Sequence, residues 1–180
     1  MVSKTIDTQI VICGRGGQGV LFLTRLLDEV ALTLGNNVIS SETHGMAMRG
    51  GSVASHIKIG DYHSPLIRAG QGDILIALTE SEIPLCMHLL KKEGRQVYLN
   101  SPCATYGTLD ADHIAKALGS IVTSNLVLLG FASGHPEFPL EYGTIHSTLS
   151  TVSPPKLKDL NLRALTEGYT ATKNKRGKAP

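Results

Sequence analysis

Tryptophan is absent from these 180 residues, and aromatic side chains make up only 4% of them. That leaves little to stack on bases or sugars and argues against a nucleic-acid platform. Net charge is also scarce at +2, too small for a polyanion footprint. The basic run "KNKRGK" near the C-terminus reads as a solvated tail over residues 173–180. No hydrophobic run approaches the about 20 residues that a membrane-spanning helix needs. The N-terminus "MVSKTIDTQIVICG" moves directly into a strand without a signal-peptide layout, so a cytoplasmic location is expected, with no membrane partner. Cysteine is sparse too: Cys13, Cys86 and Cys103 lie far apart in sequence and form no C-x-x-C pair. They cannot supply the four thiolates of an iron–sulfur cluster, which would have to sit on a partner chain.

What is abundant is aliphatic residues and glycine, with a hydrophobic content of 42%. This is the composition of an α/β chain. The length suits one domain, expected over residues 1–172 ahead of the basic tail. "TQIVICG" is a short apolar run rich in β-branched residues and reads as a buried strand. "GVLFLTRLLDEVALTLG" repeats its apolar residues at helical spacing up to Gly35. "NVISSE" then returns as a strand and completes a βαβ unit, for which parallel pairing is expected. A further helix should follow in a nucleotide-binding fold. Instead "SVASHIKIG" is a strand pattern, and "GDYHSPLI" reads as its hairpin partner.

A second βαβ unit follows, from "GDILIAL" through a helix beginning near Thr79 or Ser81 and ending at Gly94 to "RQVYLNS". "DADHIAKALG" predicts a short helix with Asp110 as its N-cap. "SNLVLLGFASG" and "PLEYGTIHSTLS" predict two more helices, and "SPPKLKDLNLRALTEGY" a last amphipathic one with proline in its first turn. The expected architecture is a single three-layer Rossmann-like α/β domain. Its mixed sheet combines βαβ units with an antiparallel hairpin, and its C-terminal segment is helical.

Two motifs carry the functional signal. "CGRGGQGV" places Gly14, Gly16 and Gly19 in the G-x-G-x-x-G spacing between a strand and a helix, with Arg15, Gly17 and Gln18 between them. Such a loop can point backbone N–H groups at an anion near the positive end of the helix dipole, or simply allow close helix–strand packing. Glu42, about twenty residues on, stands where a ribose-binding carboxylate would be expected. Against a dehydrogenase, the chain has neither a second mononucleotide half nor room for a catalytic domain.

The second motif, "SETHGMAMRGGSVASH", gathers Glu42, His44, Gly45, Arg49, Gly50 and Gly51 in a loop after a strand. His44 and His56 lack a supporting ligand set, so no metal site is expected, and no catalytic residue is assigned to this chain. Met46 and Met48 suit either an adaptable interface or ordinary core filling. Arg49 is singled out because a guanidinium beside two glycines, Gly50 and Gly51, can hold a carboxylate or phosphate through two parallel hydrogen bonds.

These stretches, with "SPLI", "NLVLLG" and "PPKLKDLNLRALTEGY", resemble in order and spacing the small beta or gamma subunit of 2-oxoacid:ferredoxin oxidoreductases, most of all the indolepyruvate type. The likeness runs from Gln9 to Tyr169, and H-G-M-A-x-R-G-G-S-V is far more specific than the glycine loop. Pro102 to Ser120 is shorter and more divergent than the family pattern. The resemblance implies a subunit of an enzyme that decarboxylates a 2-oxoacid, passes electrons through iron–sulfur clusters to ferredoxin and releases an acyl-CoA. It also implies that thiamine diphosphate and the clusters belong to a large partner subunit, that CoA enters the assembled enzyme, and that this chain is silent alone. Two other readings stand beside it: a free-standing nucleotide-binding module carried by Gly14, Gly16, Gly19 and Glu42, and an assembly subunit that touches no ligand.

Overall fold

The computed structural model describes residues 6–45, 50–103, 105 and 107–176. A six-stranded sheet has the order β2-β3-β1-β4-β5-β6. The strands are β1 Thr8–Arg15, β2 Val38–His44, β3 Ser52–Ile59, β4 Ile74–Ala77, β5 Gln96–Asn100 and β6 Thr108–Leu109. The helices are α1 Val20–Thr33, α2 Ile83–Cys86, α3 Ala111–Ala117, α4 Ser124–Ser133, α5 Tyr142–Val152 and α6 Lys158–Arg176. β1, β4, β5 and β6 are parallel, while β3 is antiparallel to both β1 and β2, so the mixed α/β architecture read from the sequence is the one observed.

The period-two alternation of β1 divides the core. Ile10 and Ile12 face one layer with Leu23, Leu27, Leu126, Leu149 and Leu165, which come from α1, α4, α5 and α6. Val11 and Cys13 face the other layer with Ile67, Leu75, Cys86 and Leu90. The first layer is a thick stack of full helices. The second is thin, made of α2, its flanking turns and the segment around Ile67.

Three expectations are corrected. First, β1 and β2 do not pair: β3 lies between them, antiparallel to each, so β2 runs parallel to β1 one strand further out. Because β3 is then hydrogen-bonded on both edges, it has no edge left for "GDYHSPLI". Those residues form a loop, in which Gly60 N–H donates to the Asn37 carbonyl and Ile67 N–H to His56 Nδ1.

Second, the helix expected from Thr79 to Gly94 is broken into a 3-10 turn at Glu80–Glu82, the single turn of α2 and a second 3-10 turn at Met87–Leu89. Its later carbonyls are taken from outside: Gly70 N–H donates to His88, Gly72 N–H to Leu89, and Lys91 N–H returns to Gly72. Long-range bonding thus outweighs the local helical pattern.

Third, Pro154 and Pro155 precede α6 rather than sitting in its first turn. They belong to a turn in which Leu157 N–H donates to the Pro154 carbonyl at 2.9 Å. The last helix also continues past Lys173 to Arg176, into the stretch read as tail. Asp110 caps α3 as expected, its carboxylate accepting the His113 N–H at 2.9 Å.

Candidate functional site

The site lies at the carboxyl ends of β1, β4 and β5, where parallel α/β sheets present loops to ligands. β1 ends at Arg15, and the chain reverses through Gly16–Gly19 into α1. Gly19 closes the reversal at φ 83°, a left-handed conformation open to glycine, and no side chain caps the helix. The first turn of α1 therefore presents N–H groups and the positive end of its dipole without a carboxylate of its own.

Gln18 turns inward. Its Oε1 accepts the Arg15 N–H at 2.7 Å and its Nε2 donates to the Leu78 carbonyl at 3.5 Å, clamping the loop to the end of β4. Gln18 is thus an internal brace of the loop. Arg15 is exposed by 57%, and its Nε donates at 3.3 Å to Glu82 Oε1, a carboxylate only 6% exposed.

The structure joins the two motifs. Gly16 N–H donates to the Gly51 carbonyl at 2.9 Å, extending the β1–β3 ladder past the Arg15–Ser52 pair. A side chain at Gly16 would start 3.3 Å from the Gly50 nitrogen. Gly45 N–H donates to the Ser52 carbonyl at 2.8 Å. Gly16, Gly45, Gly50 and Gly51 thus meet in one surface of closely approaching backbones. The His44 side chain and residues 46–49, including Met46, Met48 and Arg49, lie outside the described residues.

Glu42 does not join them. It is exposed on β2, and its charge acts on Asp28 of α1, whose carboxyl is raised above the ordinary value chiefly by burial, against the Ser40 hydroxyl that donates to it at 2.7 Å. With β3 inserted, Glu42 stands a further strand spacing, roughly 4.8 Å, from the glycine loop. This removes the geometry in which one carboxylate reads the ribose of a dinucleotide whose pyrophosphate rests on the loop. The nucleotide-binding module is therefore disfavoured.

Other functional neighbours escaped the sequence reading. Asn125, 4% exposed at the start of α4, directs Nδ2 to the Gly19 carbonyl at 3.4 Å while its Oδ1 accepts the Leu126 N–H at 2.7 Å. Asn100 donates to the Leu78 carbonyl at 3.2 Å and to Asp112 at 2.8 Å, and accepts the Ala111 N–H at 3.0 Å. A polar residue opening the apolar run "NLVLLG" was the one available signal for Asn125.

A cleft of about 310 Å³ adjoins the glycine surface, between the β2–β3 tip and α2. Gly45, Ser52, His56, Glu82, Leu85 and Cys86 are in its lining. Burial holds the His56 imidazole below its ordinary pKa, helped by Lys58 and His88, and the Ile67 N–H fixes Nδ1 as the acceptor. Cys13 and Cys86 converge beneath this cleft, while Cys103 is exposed. No group of three or more His, Cys, Asp or Glu able to hold a metal occurs among the described residues. The converging thiols do not fit an iron–sulfur cluster, which needs a larger ligand set. No helix among the described residues is long and apolar enough to cross a membrane.

An open α/β sheet with a glycine-built strand-to-helix reversal and an inserted antiparallel hairpin defines the class. Residues 9–171 match the family described as pyruvate ferredoxin/flavodoxin oxidoreductase, and the chain belongs to it. It is 34% identical over 187 aligned positions to the indolepyruvate oxidoreductase subunit IorB of Archaeoglobus fulgidus, covering 89% of this chain and 92% of that one. To the IorB subunit of Methanothermobacter thermautotrophicus it is 33% identical, covering 92% and 98%. Among solved structures, the gamma subunit of a keto/oxoacid ferredoxin oxidoreductase from Geobacter sulfurreducens superposes with a TM-score of 0.75 at 25% identity, over 93% of this chain and 99% of that one. The resemblance to the small subunit read from the glycine motifs is borne out.

Proposed function

We propose that this chain is the subunit without cluster or thiamine of a 2-oxoacid:ferredoxin oxidoreductase acting on indolepyruvate or another aryl pyruvate. In this reading it works in the cytoplasm, only together with a large subunit that holds thiamine diphosphate and the iron–sulfur clusters. That complex decarboxylates the oxoacid, delivers electrons to ferredoxin and forms an acyl-CoA. The similarity to IorB subunits over nearly the whole length carries the reading.

The surface formed by Arg15, Gly16, Gly17 and Gly19 with Gly45, Gly50 and Gly51 is proposed as the face turned to the partner or to an anionic part of CoA, with Gly14 and Gln18 supporting it from within. The uncapped first turn of α1 supports this, because its N–H groups and dipole favour a negative group. Arg49, between Gly45 and Gly50 in sequence, would supply a bidentate contact. This chain's own residues then bind and orient, and no bond-making step falls to them.

Co-expression with a thiamine- and cluster-binding large subunit of the same family tests the proposal. The complex should show aryl-pyruvate- and CoA-dependent dye reduction, and the isolated chain none. Turnover by the isolated chain would overturn the reading. So would saturable micromolar binding of NAD to it by calorimetry, which would restore the nucleotide-binding module.

A further inference from the structure

β2 is an edge strand: β3 takes one side of it, and no strand among the described residues takes the other. The bonds to β3 show which backbone groups remain. Gly60 N–H donates to the Asn37 carbonyl and Gly45 N–H to the Ser52 carbonyl, so in this antiparallel register Asn37, Ile39, Ser41, Thr43 and Gly45 turn their N–H and C=O groups inward to β3. Val38, Ser40 and Glu42 therefore turn theirs outward, as a row of donors and acceptors spaced two residues apart.

Open edges are ordinarily blunted by lysine, proline or a bulge. "VISSETH" contains neither lysine nor proline, and its pairing with β3 runs without a bulge from Val38–Ile59 to His44–Val53. Carboxylates flank it instead, on the side of α1. Ser40 donates to Asp28 Oδ2 at 2.7 Å, exposed Glu42 lies two positions along the same face of the strand, and exposed Glu29 follows Asp28. Asp28 Oδ1 is buried and has no hydrogen-bond partner among the described residues.

We propose that the outer edge of β2 is the docking edge for an extended segment of the large partner subunit, which adds a strand to the sheet and sets a lysine or arginine against Glu42 and Asp28. This rests on the reading of the chain as the small subunit of such a complex. The outward backbone groups bond the added strand, and the carboxylates select its charge. A second copy of this chain is disfavoured, because its own Asp28, Glu29 and Glu42 would meet the same edge as like charges. The edge also leads through Gly45, bonded to Ser52, into the glycine surface, so one partner can cover both.

The test compares the free chain with its complex with the large subunit by residue-resolved amide exchange. The Ser40 and Glu42 amides should exchange fast in the free chain and at least about tenfold more slowly in the complex, while those of Ile39, Ser41 and Thr43 are slow in both. Glu42→Pro removes an outward donor and leaves the bonds to β3 intact. Its free chain should keep the wild-type circular dichroism, and its Kd for the large subunit should rise at least about tenfold. Glu42→Gln keeps the donor, and should weaken binding less while reducing its salt dependence. An active complex in which Ser40 and Glu42 exchange as fast as in the free chain overturns the docking edge and leaves the small-subunit reading standing. Failure of any complex to form overturns both. Dimerisation of the free chain with protection of the same amides would give the edge to a second copy and equally overturn the proposal.

Discussion

Two groups of glycines organise two regions of this molecule. Gly16 and Gly19 shape an open reversal at the end of the sheet, with Gly14 buried at its base. Gly130, Gly134 and Gly168 lie in the seam between α4 and α6, in the thick helical layer. A Cβ on Gly168 would start 1.9 Å from the Val127 carbonyl oxygen, and one on Gly130 would start 2.0 Å from that of Leu165. At Gly130 and Gly168 the obstruction is helix backbone, which cannot yield without separating two helices, and at Gly134 it is the Thr172 side chain. In the loop the nearest obstructions are 3.0–3.3 Å from Gly14 and Gly16, and at Gly19 a side-chain amide. Glycine in the loop leaves a surface accessible; glycine in the seam allows burial.

The largest effect should come from breaking the seam. Alanine in place of Gly168 or Gly130 gains about 1 kcal/mol of helix propensity. Overpacking against backbone outweighs this, at about 3 kcal/mol. The net loss of about 2 kcal/mol should lower the Tm by roughly 6 °C in thermal unfolding. An unchanged Tm in both variants would mean that the seam is looser than described.

Gly19→Val comes next, with a loss of about 1–3 kcal/mol. It combines the left-handed φ of 83° with a Cβ placed 2.2 Å from Asn125 Nδ2. Denaturant titration of Gly19→Ala with and without Asn125→Ala separates the parts. Removing the amide should relieve the clash and leave about 1 kcal/mol from the backbone conformation. Gly16→Val should cost less, about 1 kcal/mol, since Gly16 lacks the left-handed φ.

A smaller effect is expected from pH. His56 has a folded pKa below its unfolded value of 6.5, so the unfolded chain takes up the proton first as pH falls. The contribution of His56 is fully present above 6.5 and is lost as pH falls through the folded value. Unfolding free energy measured across this window should therefore decline with acidification, and His56→Gln should flatten that slope. Asp28 acts with the opposite sign: its raised pKa makes it progressively unfavourable as pH rises above 3.8.

Stability should change least in Arg49→Lys. Circular dichroism of the free subunit should match wild type, while assembly weakens or the apparent KM for CoA rises several-fold. Wild-type assembly together with wild-type CoA kinetics would mark Arg49 as a solvated residue. Loss of assembly alone would place it at the subunit interface.

Much was legible where the physics is local. The apolar, β-branched run in "TQIVIC", helical spacing from Leu23 to Leu34, the Asp110 cap and the apolar run of α4 are patterns within single elements, and each appears as read. The glycine loop and the Gly50–Gly51 turn were each visible as motifs. Their meeting was not, because the Gly16–Gly51 hydrogen bond joins residues on different strands. Asn125 escaped for the same reason: its partner Gly19 is 106 positions away.

By itself the sequence determined β1 to β5 and the helices α1, α3, α4 and α5, since propensity, periodicity and capping act over a few neighbours, and it carried the motifs that place the chain in its family. The tertiary structure alone decided that β3 separates β1 from β2, that Glu42 stands away from the loop, and that Gly70–Gly72 interrupts the helix after Thr79. These outcomes depend on which distant backbone edges and carbonyls are free to pair, and unmet hydrogen-bonding groups are satisfied over the whole fold rather than along the chain.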